Sequence, residues 1–163
     1  MVEGERLTKI HINLPHHWGT GGESMWAAEL GGDLYGLRNI PFYAYDLNVG
    51  DVVRAIPESP DVKPENQEVV RRSGNRTLRV WFKKEAVAAG RALELLQSLK
   101  NEHVSFESAT EYFFALDLGP EADTTQVREV LDEWERLGWI AYETCEARIA
   151  GSFDDDPSQA DHE

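Results

Sequence analysis

The sequence predicts an α+β protein built in two halves. Residues Thr77 to Ile149 read strand, helix, strand, strand, helix, strand, while the residues before Pro57 read as short strands divided by turns. Between them Pro57 to Pro64 holds three prolines with acids, the composition of a loop or linker. The first order is the split-βαβ, ferredoxin-like pattern, which lays two helices on one face of a four-stranded sheet. Several short strands at close turn spacing suggest a small, strongly bent barrel or sandwich. The expected division is a β-rich N-terminal subdomain over residues 1–66, a ferredoxin-like βαββαβ subdomain over 67–150, and a disordered acidic tail over 151–163.

Taken in order, Lys9 to Leu14 alternates as a strand should and ends at Pro15, after which His16 to Gly22 is a glycine-rich loop. Ser24 to Leu30 and Asp33 to Asn39 flank Gly31-Gly32, a pair suited to a primed hairpin turn with φ > 0 at both central residues. Pro41 opens a strand over Phe42 to Tyr45, and Asn48-Val49-Gly50 turns into another over Asp51 to Ile56. Glu68 to Arg72 is a strand that fits either half, and Ser73 to Arg76 turns into Thr77 to Phe82.

Glu85 to Asn101 carries Ala86, Ala89, Leu93, Leu96 and Leu99 at helical spacing, with Gly90 a weak point costing about 1 kcal/mol relative to Ala. His103 to Glu107 and Glu111 to Leu118 make a hairpin. Asp123 caps a second helix, with Gln126 as capping-box partner and Val127, Val130, Leu131, Trp134 and Leu137 as apolar stripe. Gly138 suits the position just past its end, and Trp139 to Ile149 closes the sheet.

The net charge of −14 predicts an acidic surface, which disfavours non-specific contact with nucleic acid or anionic membrane. A lone cysteine, Cys145, excludes an internal disulfide and suits a reducing cytoplasm. No run approaches the roughly 18 apolar residues of a membrane span, and charges interrupt the N-terminal stretch, so a cytoplasmic protein is expected.

Glu23 to Leu30, then Leu37-Arg38-Asn39-Ile40-Pro41-Phe42, Val49 to Val53, and Ser73 to Val80 follow one another in an order that resembles a bacterial family known as domain of unknown function 4265. The resemblance covers roughly Lys9 to Arg148 and implies a small cytoplasmic bacterial protein that forms one recurrent unit. It brings no activity or catalytic residues.

Most of the chemistry-bearing residues have plainer roles open to them. His16 and His17 are adjacent, so their side chains diverge in an extended segment, and no metal-ligand spacing follows them; an exposed loop is the simpler account. Gly19 to Ser24 lacks the Lys-Ser/Thr of a phosphate loop. Asn39 and Asp51 suit turn chemistry, but in a functional reading they meet Arg79 in a cleft between the halves. Arg71 to Lys84 holds six basic residues and no acid, so Ser73, Gly74, Arg76 and Arg79 form a candidate site for an anion or acidic peptide. Alternation puts Thr77, Arg79 and Trp81 on one face, making Arg79 the basic residue best placed to pack beside an aromatic. Tyr112, Phe113 and Phe114 lack the context of RNA-stacking strands and suit core packing.

The expected function is a non-enzymatic interaction or regulatory protein, of immunity or antitoxin type, whose acidic surface meets a basic protein partner. The alternative is an enzyme or small-anion binder using the cleft, with Asn39, Asp51, Ser73 and Arg79 as donors and acid. No metal, no cofactor, no membrane association and no nucleic-acid partner are expected.

Overall fold

The computed structural model describes residues 4–155. Strands dominate, few helices accompany them, and they form two antiparallel sheets. The first holds β1 (Leu7–Asn13), β2 (Gly22–Gly31), β3 (Leu34–Leu37), β4 (Val52–Ile56) and β5 (Glu65–Arg71), each paired with the next. Its two edges meet only at one parallel bridge, His11 to Glu65, with His11 N–H donating to the Pro64 carbonyl at 2.8 Å. The sheet thus curls until its edges touch at a point, without zipping shut along their length. Ile10, Ile12, Met25, Ala27, Leu37, Val53 and Ala55 fill its concave side.

The second sheet takes β6 (Arg76–Phe82), β7 (Val104–Ser108), β8 (Phe113–Leu118) and β9 (Ile140–Thr144) in the order β7-β8-β6-β9, with every neighbouring pair antiparallel. One face of β6 and β8, through Leu78, Val80, Phe82, Phe114, Leu116 and Leu118, packs under α1 (Lys84–Ala88), α2 (Arg91–Leu99) and α3 (Thr124–Arg136). Period-2 alternation sends Thr77, Arg79, Trp81, Phe113, Ala115 and Asp117 to the other face. That face meets the first half.

α3 starts on a side-chain cap and stops on a glycine. Asp123 accepts from Gln126 N–H at 3.0 Å, and at the far end Gly138 has φ +80°. Its N–H bonds the Glu135 carbonyl and Trp139 N–H the Trp134 carbonyl, the paired bonds of a Schellman ending.

Several elements differ from expectation, each for a local reason. The helix expected over Glu85–Asn101 is broken, because Gly90 adopts φ +72° and separates α1 from α2. The hairpin turn is Gly32-Asp33 rather than Gly31-Gly32, with φ +61° and +65°; a register shift between Glu29 and Gly31 moves it by one residue. Phe42 to Tyr45 is not a strand. Its amides find no neighbouring ladder, and the Glu23 carboxylate accepts from Phe42, Tyr43 and Ala44 N–H at 2.7, 3.1 and 3.0 Å instead. The strand expected over Glu68 to Arg72, which fitted either half, runs over Glu65–Arg71 and pairs with β4 in the first sheet.

Of the segment expected to be a disordered tail, residues 151–155 form a turn held against the sheets, while 156–163 lie outside the described residues. Arg148 binds Asp154 at 2.8 Å and also Asp155, and Ser152 and Asp154 are buried. Charge pairing with Arg148 offsets the acidity that predicted disorder. No helix among the described residues is long and apolar enough to cross a membrane.

Candidate functional site

The two halves meet along the open face of the second sheet, and a cleft of about 880 Å³ lies there. Its walls are aromatic: Trp18 from the β1–β2 loop, Phe42 and Tyr43 from the β3–β4 loop, Trp81 and Phe113 from the sheet, and Phe153 from the final turn. Phe113 is the hub, with ring centroids of Trp81, Tyr43, Phe153 and Phe42 at 5.4, 5.9, 6.2 and 6.3 Å. Trp18 and Trp81 remain 57 and 46% exposed.

A buried polar group lies among these aromatics. Arg79 is 1% exposed, and its Nε donates to Glu143 Oε2 at 2.9 Å, the two residues being direct cross-strand partners on β6 and β9. Its Nη1 donates to the Ala44 carbonyl at 2.8 Å, and the guanidinium stacks 4.4 Å from the Tyr45 ring centroid. Glu143 also accepts from Tyr45 Oη at 2.6 Å and from Phe153 N–H at 3.0 Å. Burial, then the bond to Glu143, pushes the Tyr45 phenol far above its ordinary range. Burial likewise pushes the neighbouring Cys145 thiol up to about 12.

His17 stands at one wall with its ring edge-on to Tyr43 at 5.1 Å. Its Nδ1 accepts from Gly19 and Thr20 N–H at 2.9 and 3.0 Å, which puts the ring proton on Nε2. Burial holds its pKa below the usual histidine value, with the Arg79 charge acting the same way and Asp154 opposing.

The residues expected to share one site are dispersed. Arg79 is in the aromatic cleft and does pack beside an aromatic. Asp51, Gly74 and Arg76 line a separate, polar cavity of about 460 Å³ near the start of α3. There Asp51 is fully buried and accepts from Asn48 and Ser73 N–H at 3.0 and 2.8 Å. Ser73 Oγ donates to the Val49 carbonyl and accepts from Asn75 N–H. Gly74, at φ +91°, lies against Pro120, and Arg76 pairs with Glu146 at the surface. Asn39 lines neither cavity and holds Trp26 N–H at 2.6 Å. Asn39, Asp51 and Ser73 thus bond to the backbone, the turn chemistry that Asn39 and Asp51 suit in the sequence.

The sequence reasoning missed Tyr45, Glu143, Phe153 and Asp154, gave Phe113 only a core-packing role, which its burial agrees with, and gave His17 only a loop role. For Phe113 a signal existed, since alternation along Tyr112–Leu118 sends the odd-numbered residues to the face opposite Phe114. For Glu143 and Phe153 none did, because their placement depends on strand register and on a turn that folds back. Among the described residues, no three His, Cys, Asp or Glu side chains converge as metal ligands.

The model of the domain of unknown function DUF4265 matches residues 23–142, and the chain belongs to that family. No functionally curated protein matches it. A crystal structure of a hypothetical protein from Neisseria gonorrhoeae is similar with a TM-score of 0.62 over 92% of this chain and 100% of that one. At 12% identity that likeness speaks to fold alone.

Proposed function

We propose that this protein is a non-enzymatic binding module that recognises its guest in the aromatic cleft between the two sheets. The cleft falls in the ~300–1,000 Å³ range of small-molecule sites and combines apolar walls with a few convergent polar groups. The observation that carries the reading is how those polar groups are occupied. The only acceptor nitrogen of His17 holds two backbone amides, so it cannot take a proton from a substrate. Tyr45 Oη donates a hydrogen bond to Glu143, Glu143 serves three donors, and Ser152 Oγ accepts from Ile149 N–H. These four groups position and bind, and none of them is free to act as base or nucleophile; Asp154, the remaining buried carboxylate, is held in the ion pair with Arg148.

On this reading the second half is a ferredoxin-like subdomain, supported by the strand order β7-β8-β6-β9 with helices on one face, and the first is a barrel-like subdomain. A reducing, cytoplasmic setting agrees with the single, buried Cys145.

The test is a screen of aromatic fragments followed by the indole N–H resonances of the five tryptophans. Guests in the cleft shift Trp18 and Trp81 and leave Trp26, Trp134 and Trp139 in place. Fragments that move only the latter three would sink the reading.

Docking of a basic protein, as an immunity or antitoxin-like inhibitor would do, is a second reading that the charge of −14 supports. It predicts a complex released by moderate salt and insensitive to Trp81→Ala.

A further inference from the structure

Two properties of the aromatic cleft limit what it can hold. The first is charge. Among the residues lining it, Arg79 stands against the carboxylates of Glu143, Asp154 and Asp155, and His17 is neutral, its Nδ1 occupied by two amide donors. Arg148, paired with Asp154 and Asp155, cancels one more charge and leaves an excess of one carboxylate. The chain around the cleft adds to this field with its net charge of −14. An anion is repelled there and a cation is drawn in.

The second is that these acids hold their charge without offering a spare oxygen. Glu143 Oε1 accepts from Tyr45 and Phe153, and its Oε2 from Arg79. Asp155 Oδ1 pairs with Arg148, and Oδ2 accepts from Gly151 N–H at 2.7 Å. Asp154 Oδ2 pairs with Arg148, and Oδ1 is closed off from solvent. A primary ammonium carries three donors and meets only acceptors already in use. What the cleft does offer is ring surface, with Trp18 and Trp81 57 and 46% exposed. Among the described residues, the chain's own cations stack on Tyr45, Trp26 and Trp139, and none on Trp18, Trp81 or Phe113. The face of an aromatic ring attracts a cation through its quadrupole, most strongly in tryptophan.

We infer that the guest of the cleft is a free small organic cation with a fully alkylated ammonium head, of the trimethylammonium type. Such a head carries positive charge and no N–H, so it draws on the field and the rings and needs no acceptor. Arg79 does little to oppose it, being 1% exposed, matched by Glu143 and stacked on Tyr45. This rests on the cleft being the binding site, and the experiment separates the two ideas.

Three probes isolate the head group: choline, ethanolamine, and 3,3-dimethylbutan-1-ol, which has the shape of choline with carbon in place of nitrogen. Each is titrated against the full chain at low salt and followed at the Trp18 and Trp81 indole signals. Choline is expected to bind roughly tenfold more tightly than either of the others. If the alcohol or ethanolamine equals choline, or if aromatic fragments shift Trp18 and Trp81 while choline does not, the cation inference is overturned and the cleft stands. If neither choline nor the fragments shift them, both fail. Vesicles of phosphatidylcholine present the same head on a surface and should leave the protein in the supernatant; co-sedimentation would overturn the assignment to a free molecule.

Two further measurements test the two sources of attraction. High salt should weaken choline and spare the alcohol, and equal responses would contradict the role of the carboxylates. Trp81→Leu, checked for native circular dichroism and followed at Trp18, keeps an apolar side chain and removes the ring. It should weaken choline several-fold more than the alcohol, and equal losses would contradict the stacking of the cation on Trp81.

Discussion

Replacing Glu143 with glutamine removes one charge from the pair at the seam of the two halves and leaves Arg79 charged, buried and uncompensated. Breaking a buried pair from one side costs about 3–5 kcal/mol, because the remaining ion has lost both water and partner. Glutamine keeps one acceptor for Arg79 Nε. However, Glu143 Oε1 faces two donors, Tyr45 Oη and Phe153 N–H, and an amide nitrogen turned toward either would oppose it. The lower end of the range is therefore a floor. For a chain of 163 residues each kcal/mol corresponds to about 2–4 °C, so the melting midpoint should fall on the order of 10 °C. Urea denaturation at unchanged slope is the direct assay. The double variant Arg79→Met/Glu143→Leu removes both charges and should cost clearly less than the sum of the two single changes. A Glu143→Gln protein within about 1 kcal/mol of the parent, or strict additivity in the double variant, would refute the picture of a desolvated pair.

Three further outcomes are expected. Gly138→Ala forces a Cβ into φ +80° at the end of α3 and should cost about 1 kcal/mol, and Gly90→Ala at φ +72° should cost a similar amount despite open space around it; a stabilised variant in urea would contradict the broken helix. His17 has a folded-state pKa below its unfolded value, so the native state binds fewer protons; its contribution is present above the unfolded value near 6.5 and is lost as pH falls through the folded one. His17→Asn keeps an acceptor for Gly19 and Thr20 and should flatten stability against pH in that window, whereas an unchanged pH profile would show that His17 does not titrate there. Cys145, buried and with its thiol pushed up to about 12, should resist a disulfide reagent at pH 8 until urea unfolds the chain. Fast labelling of native protein would show that the segment opens.

What was legible in the sequence was mostly local. The 3.6-residue stripe of Val127, Leu131 and Trp134, with Asp123 before it and Gly138 after it, specifies α3 and both of its ends without help from the rest of the chain. Alternation in Arg76–Phe82 put Arg79 on the face it shares with Trp81, whereas the ring it stacks on, Tyr45, comes from a distant loop. The segment 42–45 could not be read the same way. Pro41 and four apolar or aromatic residues suit a strand, and only a distant carboxylate, Glu23, gives three of their amides another partner. The six basic residues of 71–84 suggested one site; the fold turns Arg76 outward to Glu146 and Arg79 inward to Glu143, so that linear proximity became spatial separation. The cleft itself comes from loops and a final turn meeting one sheet face, a coincidence of long-range register that no local pattern encodes.

The passage from β5 to β6 occupies only residues 72–75, and it is sewn down on both sides. Asp51 and Val49 grip Ser73 from the first half, and Asp117 takes the Asn75 amide at 3.0 Å from the second. A bridge so short and so fastened leaves no hinge. The halves should therefore melt together in one cooperative step, and a protease should find no point at which to sever them while both remain native.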